Sequence, residues 1–142
     1  ELIASENDRV FNYENRIYRP FMTDQLLLKQ LMTILFDNAI KYTEGDGKIE
    51  FVVYATDRHL YLTVADNGIG ISAADKKKIF DRFYRVDKAR TRQKGGFGLG
   101  LSLAKQIVDA LRGTITVKDN KPRGTIFEVK IAIQSPPKRK NK

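Results

Sequence analysis

Two pairs of short strand patterns, each joined by a turn of a few residues, constrain the fold of this chain most. Residues 48–55 and 60–65 favour strands on either side of a short turn, and residues 114–118 and 125–133 do the same. Strands joined by such turns pair antiparallel, because a parallel pair needs a crossover of about a dozen or more residues. A mixed, mostly antiparallel sheet is therefore predicted, which excludes a Rossmann fold.

Three stretches have the features of helices. They are residues 24–43, residues 72 to about 83, and residues 101–111. Asp24 is a suitable N-cap for the first stretch, which spans about five helical turns. Ser72 and Asp75 have the spacing of a capping box, and Gly113 is a natural stop after the third stretch. One long helix and two shorter ones are therefore predicted.

The N-terminal part of the chain carries a weaker strand pattern. Residues 10–13 and 16–21 contain β-favouring side chains around Asn15, and Pro20 limits the second group to a sheet edge or a strand end. These residues predict a further hairpin. Together, the patterns predict an α+β fold: a two-layer α/β sandwich with about three helices on one face of the sheet.

Length and composition limit the classes of protein to which the chain can belong. Its 142 residues suffice for one domain with a sizeable core, and the lack of cysteine excludes a disulfide scaffold and a thiolate metal site. No apolar run approaches the about 20 residues of a membrane helix, and residues 1–9 lack a signal-peptide pattern. We expect a soluble, intracellular domain over residues 1–135 and a disordered basic tail over residues 136–142.

The net charge of +9 is concentrated in two segments. Residues 85–94 carry +4 and residues 138–142 carry another +4, so the rest of the chain is nearly neutral. A basic chain can be a nucleic-acid-binding module, but stacking on bases needs aromatic side chains among the basic ones, and neither segment contains any. We expect no nucleic-acid partner.

A polar group interrupts the apolar stripe of the first predicted helix. Asn38 follows Leu31 by seven positions and is predicted to face the core, and Lys41 and Tyr42 lie on the same side one turn later. An asparagine with hydrogen-bond partners inside the core is one interpretation. The other is a ligand site, since an amide oxygen, a cation and an aromatic face together can hold a metal ion, a phosphate and a flat ring.

Asp66 is the second anomaly, because strand alternation places it on the same side as Leu60, Leu62 and Val64. A buried, unpaired carboxylate is costly, so some group must donate a hydrogen bond to it. It either caps a turn at the strand end or binds a ligand. The glycine turn of residues 67–71, which follows at once, allows backbone to approach a ligand closely.

The glycine-rich residues 95–100 run directly into the third predicted helix. Free N–H groups and the positive end of a helix dipole suit a phosphate at such a place, although the spacing matches neither a P-loop nor a dinucleotide fingerprint. A flexible hinge is the alternative. The basic residues 85–94 end at these glycines, so they are either a solvated loop or a mobile lid over a triphosphate.

Four segments in this order resemble the boxes of one family, the sensor histidine kinases. Residues 36–43 resemble the N box, residues 66–71 the G1 box, residues 80–87 the F box and residues 96–101 the G2 box. The resemblance covers about residues 10–133. It implies the ATP-binding catalytic domain of such a kinase, with the Bergerat fold and with ATP and Mg²⁺ as ligands.

The resemblance also implies roles for single residues. Asn38 would ligate Mg²⁺, Lys41 would meet phosphate and Tyr42 would pack beside the adenine, whose amino group would donate to Asp66. The remaining residues implied to bind ATP lie beside the base or in a lid of about residues 85–100: Gly68, Gly70, Ile71, Arg85, Gly96, Gly98, Leu99, Gly100, Leu101 and Thr125.

Two departures from the family pattern bear on function. Ile34 stands four residues before Asn38, where the kinases usually carry a polar residue and gyrase-type ATPases carry a catalytic glutamate, so ATP hydrolysis of the gyrase kind is not expected. The acceptor histidine is also absent, because the single His59 lies in a predicted turn. This chain alone is therefore expected to be an inactive kinase fragment.

The resemblance implies transfer of the γ-phosphoryl group of ATP to a histidine on a separate dimerisation domain. The implied partners are that domain and a response regulator, and the implied location is the cytoplasmic side of a membrane-anchored homodimer. A stand-alone anti-sigma-factor serine kinase of the same fold is the alternative. The F box and the long lid argue against it.

Overall fold

The computed structural model describes residues 2–4, 10–43, 47–82, 84 and 100–135. Within them the strands are β1 (Leu2–Ala4), β2 (Val10–Arg16), β3 (Lys48–Ala55), β4 (His59–Asp66), β5 (Thr114–Asp119) and β6 (Thr125–Ala132). The helices are α1 (Gln25–Tyr42), α2 (Ala73–Lys76) and α3 (Gly100–Ala110). No helix in these ranges is both long and apolar enough to cross a membrane.

The strands form one sheet in the order β1-β2-β3-β4-β6-β5. The pair β2–β3 is parallel and the other four neighbouring pairs are antiparallel. The predicted mixed, mostly antiparallel sheet is confirmed. The parallel pair follows from connectivity, because α1 lies between β2 and β3 in the chain and provides the crossover that parallel strands need.

One face of the sheet carries the core. Along β4 every second side chain is buried, and β6 shows the same alternation. Leu31, Leu35 and Ala39 from α1 are buried in the same core cluster, as are Ile107 and Val108 from α3. This arrangement confirms the predicted two layers and places the ends of α1 and β4 near each other.

The predicted N-terminal hairpin is wrong. Residues 10–16 form the single strand β2, which pairs with β1 on one side and with β3 on the other. The backbone N–H of Ile17 donates to the side-chain oxygen of Asn15 at 2.8 Å, so this asparagine helps to end the strand and turns no hairpin. Local propensity identified a strand here but not its partners.

The second helix is shorter than predicted. Ser72 caps α2 through Asp75 as expected, but α2 ends at Lys76 and residues 77–82 form turns. Two of these turns are closed by bonds from Lys78 N–H to the Asp75 carbonyl and from Asp81 N–H to the Lys78 carbonyl, each 2.9 Å long. Such i to i−3 bonds tighten the chain, and the buried Ile79 and the half-buried Phe80 both pack on the core.

Candidate functional site

Asp66, the last residue of β4, is buried among apolar side chains. Its residue is 2% exposed, and the strand register pairs it with Ile49 of β3 and Thr125 of β6. The alternation of β4 turns it toward the core together with Leu62 and Val64, so the inward orientation predicted from parity is confirmed. A carboxylate therefore lies at the place where three strands and the core meet.

The two oxygens of this carboxylate have different surroundings. Oδ1 accepts hydrogen bonds from the backbone N–H groups of Gly68 at 2.9 Å and Thr125 at 3.3 Å. Oδ2 accepts none from the part of the chain that the structure describes. Burial raises the pKa of Asp66, and the same two hydrogen bonds oppose that rise. Asp66 thus caps its turn with one oxygen and keeps the other available.

The glycine turn after β4 docks on the end of α1. The backbone N–H of Ile69 donates to the carbonyl oxygen of Tyr42 at 3.2 Å, and a Cβ on Gly68 would overlap that carbonyl oxygen. Gly70 has φ +77°, in the left-handed region that favours glycine. The missing side chain of Gly68 is therefore required by the contact with α1, whether or not a ligand is bound.

Two further residues of the predicted site are buried. Thr125 is 3% exposed and bonds to the carboxylate through its backbone. Ile71 is 7% exposed, and its side chain belongs to the hydrophobic core. Thr125 therefore lies directly against the carboxylate, whereas Ile71 contributes to the hydrophobic core.

The polar side chains of α1 lie beside its apolar stripe. The buried positions are Leu31, Leu35 and Ala39. At about 100° per residue, Asn38 lies about 20° from Leu31, on the side away from Ala39, so it lies at the border of the predicted core-facing stripe. Asn38, Lys41 and Tyr42 are half-buried, and the Asn38 amide makes no hydrogen bond with the described residues.

The N-terminus of α3 faces the same side of α1. A Cβ on Gly100 would lie 3.6 Å from Cγ2 of Ile34, one turn before Asn38. Ile34 therefore packs against the start of α3, which accounts for an apolar side chain at this position. Leu101, the other described residue of the G2-box segment, is half-buried in α3.

Several predicted residues cannot be placed. Outside the described residues lie Arg85, Gly96, Gly98 and Leu99, the predicted lid up to residue 99, most of the F-box segment after Arg82, and the tail 136–142. Within the F-box segment, Phe80 packs edge-on against Phe127, with 6.2 Å between the ring centroids. The hydroxyl of Tyr84 donates to Asp75, whose other carboxylate oxygen accepts from Ser72 at 2.9 Å.

Residues of the β5–β6 turn also reach the site, and the sequence did not single them out. The side-chain amide of Asn120 donates to the Asp66 carbonyl at 2.8 Å, and Nε of Arg123 donates to the Gly68 carbonyl at 2.9 Å. Asn, Pro and Gly indicated a turn, but its contacts span more than 50 residues and leave no local pattern. Among the residues described, no three His, Asp or Glu side chains form a metal-binding group.

The chain matches one protein family over most of its length. Residues 23–135 match the family described as histidine kinase-, DNA gyrase B-, and HSP90-like ATPase. The sensor protein CiaH of Streptococcus pneumoniae is 81% identical over 140 residues, which are 99% of this chain and 32% of that protein. The histidine-protein kinase ArlS of Staphylococcus aureus is 44% identical over 101 residues, 71% of this chain and 22% of that protein.

A solved structure shares the fold. The mycobacterial sensor histidine kinase MprB superposes with a TM-score of 0.73 at 27% identity, over 89% of this chain and 86% of that one. The chain spans about a third of the length of the first curated relative that it matches, 32%.

Proposed function

The chain belongs to the family of histidine kinase-, DNA gyrase B-, and HSP90-like ATPases, and from this membership we propose that it binds ATP and supplies the catalytic domain of a two-component sensor histidine kinase. CiaH is named as a sensor protein and ArlS as a signal transduction histidine-protein kinase, and both are longer than this chain. The anti-sigma-factor alternative has no comparable support among these relatives.

The observation that carries the proposal is the open oxygen of Asp66. A buried carboxylate can only accept hydrogen bonds, and its Oδ1 is already used by two backbone donors. The exocyclic amino group of adenine supplies a donor for Oδ2. The glycine turn beside it and the half-buried Tyr42 at the end of α1 provide surfaces for the flat base.

We assign the triphosphate to the side of α1 on which α3 begins. Lys41 supplies a cation from α1, and the first N–H groups of α3 at Gly100 and Leu101 suit an anion. Arg85, Gly96, Gly98 and Leu99 would complete this region from the lid. These roles rest on the family resemblance and on the contact between Gly100 and Ile34.

Asn38 suits a magnesium ion. Mg²⁺ prefers hard oxygen ligands and is usually held by one or two protein groups together with phosphate oxygens and waters. The half-buried amide of Asn38, without a hydrogen-bond partner among the residues described, offers one such oxygen. When bound, the ion would neutralise phosphate charge during phosphoryl transfer.

The proposed reaction is transfer of the γ-phosphoryl group to a histidine nitrogen of a dimerisation domain. A neutral imidazole is already a nucleophile, so the chain's own residues bind and orient ATP and need not act as a base. His59 begins β4 with its ring 6.2 Å from that of Tyr61, at the opposite end of this strand from Asp66. We assign the acceptor to another part of a membrane-anchored homodimer, with this domain in the cytoplasm and a response regulator as the next acceptor.

Calorimetric titration with Mg-ATP tests the binding step, using Asp66→Asn and the control Asp57→Asn. The new amide keeps an oxygen for the N–H groups of Gly68 and Thr125, so the fold survives, but its NH₂ opposes the amino group of adenine. We expect no measurable binding by Asp66→Asn. Asp57 is exposed in the turn at the other end of the hairpin, and Asp57→Asn should bind as the wild type does. Wild-type affinity in Asp66→Asn would overturn the assignment.

Phosphoryl transfer needs a second experiment. The chain is mixed with a separately supplied dimerisation domain of a matched relative and with Mg-ATP, and phosphohistidine is measured. We expect acid-labile phosphate on that domain with the wild type and none with Asp66→Asn. Phosphoserine on a supplied partner in place of phosphohistidine would favour the serine-kinase alternative.

A further inference from the structure

The turn between β5 and β6 grips the backbone on both sides of Asn67. Asn120 donates to the carbonyl oxygen of Asp66 at 2.8 Å, and Arg123 donates through Nε to the carbonyl oxygen of Gly68 at 2.9 Å. Both bonds join a side chain to backbone across more than 50 residues of sequence. We call these two bonds the turn clamp.

The turn is itself rigidly built. The backbone N–H of Asn120 donates to the Gly124 carbonyl at 3.0 Å, while the side-chain oxygen of Asn120 accepts from Lys121 N–H at 2.9 Å. Gly124 has φ +110°, and a Cβ there would overlap the carbonyl oxygen of Asp66. Asn120 therefore has both ends of its amide engaged, and the turn lies directly against the end of β4.

A further contact fixes the turn from the side of α2. Nζ of Lys76 lies 2.6 Å from Oδ1 of Asp119, the last residue of β5 and the neighbour of Asn120. The register also pairs Asp119 with Thr125, whose N–H donates to the Asp66 carboxylate. The position of the turn is thereby transmitted to a donor of Asp66.

We propose that Asn120 and Arg123 are positioning residues that set the selectivity of this site for adenine over guanine. The inference rests on the proposed function. The clamp holds the carbonyl groups of Asp66 and Gly68, and the N–H of Gly68 in turn fixes Oδ1 of the Asp66 carboxylate. With Oδ1 held in this way, Oδ2 is the carboxylate oxygen left for an amino donor.

The chemistry of the base explains why position matters. Guanine carries a carbonyl oxygen where adenine carries its amino group, and that oxygen faces a carboxylate without a donor between them. A site built to hydrogen-bond one group rejects an analogue lacking it only while its own polar group is held in place. Loosening the turn allows the carboxylate to move away, which weakens adenine binding and reduces the penalty on guanine.

A direct role for Arg123 in binding phosphate is the competing explanation, since its guanidinium is exposed and only Nε is used among the described contacts. Adenosine separates the two roles because it carries no phosphate. A positioning residue affects adenosine and ATP alike. A phosphate ligand affects ATP alone, and its effect declines with added salt.

The experiment titrates Arg123→Ala, Asn120→Ala and the control Arg58→Ala with adenosine, Mg-ATP and Mg-GTP. Arg58 is an exposed arginine in the β3–β4 turn, so its removal changes the net charge equally, far from the clamp. The loss of one bond of the turn clamp should lower the affinities for adenosine and for Mg-ATP on the order of tenfold each. It should also lower the ratio of the affinity for Mg-ATP to that for Mg-GTP. Arg58→Ala should leave all three affinities unchanged, and Arg123→Lys, which can still donate to the carbonyl, should recover part of the loss.

Amide NMR spectra give a readout that a loss of stability alone would not move. In folded Arg123→Ala the N–H signals of Gly68 and Thr125 should shift, because both donate to Asp66, while thermal unfolding shows how much protein is folded. Should Arg123→Ala not fold, Asn120→Ala carries the test. Unchanged adenosine affinity in the folded variants overturns the inference. A loss of affinity confined to ATP also overturns it, because it would make Arg123 a phosphate ligand; neither result contradicts the proposal that the wild type binds ATP. A wild type that binds no adenine nucleotide overturns the proposed function itself.

Discussion

The two ends of the β3–β4 hairpin differ in the burial of their polar side chains: those of the turn are exposed, whereas Asp66 at the opposite end is buried. At the turn between the strands, Thr56 forms local hydrogen bonds with His59. Its N–H donates to the His59 carbonyl at 2.8 Å, and its hydroxyl accepts from the His59 N–H at 3.1 Å. The residues of that turn are exposed. At the other end a carboxylate is buried, and it accepts from the nearby N–H of Gly68 and from the N–H of Thr125 in β6, while Asn120 of the β5–β6 turn donates to the Asp66 main-chain carbonyl.

This difference shows that the exposed turn is needed to form the hairpin, whereas the buried carboxylate at the opposite end is not. A hairpin needs only an exposed turn such as residues 56–58, in which Thr56 pairs with His59 three residues away. Burying Asp66 costs stability, since desolvation disfavours its charged form. The burial of such a group beside close-packed glycines is the feature that the proposed nucleotide site would use.

The largest effect that we expect is a loss in the free energy of unfolding when Gly124 is replaced. In Gly124→Ala the new Cβ would lie 2.7 Å from Cα of Asn67 and would overlap the Asp66 carbonyl at a φ of +110°, so we expect a loss on the order of 3 kcal/mol. Gly70→Ala is the matched control, because at φ +77° its nearest contact is 3.6 Å away.

Urea unfolding measures both variants together with Asp57→Ala from the opposite turn. The control Gly70→Ala should lose about 1 kcal/mol from backbone strain alone, and Asp57→Ala should stay within about 0.5 kcal/mol of the wild type. Equal losses in Gly124→Ala and Gly70→Ala would mean that the backbone around Asp66 yields easily, and the contrast between the two ends would fail.

The next effect is on the pH dependence of stability. Because the pKa of Asp66 is raised in the folded chain, the native state holds this proton more tightly than the unfolded state does. Its contribution to stability is present below the unfolded pKa of about 4 and is lost as the pH rises through the folded value. The unfolding free energy of the wild type should therefore fall relative to Asp66→Asn over this window.

Asp57→Asn provides the comparison for that measurement at the exposed end of the hairpin. Urea unfolding of the three proteins at a series of pH values from about 3 to 8 gives the curves. A difference between wild type and Asp66→Asn that stays constant, or that rises with pH, would contradict the assigned burial of the carboxylate.

The smallest expected effect is on stability at Asn38. Its amide has no hydrogen-bond partner among the described residues, and alanine is the better helix former, so Asn38→Ala should stabilise the chain by about 0.5 kcal/mol. The same variant should lower the affinity for Mg-ATP and leave the affinity for adenosine unchanged. A loss of stability would instead identify Asn38 as a structural residue.

Features with a local pattern could be predicted from the sequence. The helix of residues 24–43, the later strands and the inward carboxylate of Asp66 followed from periodicity within short windows, and the structure confirms them. The four boxes identified the family, which the comparisons confirm. Which side chains bind ATP stays a prediction.

The errors arise where distant parts of the chain meet. The strand Val10–Arg16 pairs with a strand 38 positions later, so local propensity alone produced a false hairpin. The predicted stripe of α1 placed Asn38 in the core, whereas the structure buries Ala39 and leaves Asn38 half-buried, because spacings of three and four both fit a helix. Asn120 and Arg123 carry no motif, and their importance depends on carbonyl groups more than 50 residues away.

The parallel pairing of β2 and β3 determines where the end of α1 lies. Because β2 and β3 run in the same direction, the helix that connects them must travel back, and its last turn arrives where β3 begins and β4 ends. Chain connectivity thus brings the end of α1, where the Tyr42 carbonyl accepts from the N–H of Ile69, next to the turn that follows Asp66. One residue inserted into α1 between Leu35 and Asn38 would rotate the side chains of Asn38, Lys41 and Tyr42 by about 100° around the helix axis. The length of α1 therefore determines which side chains this helix presents near Asp66.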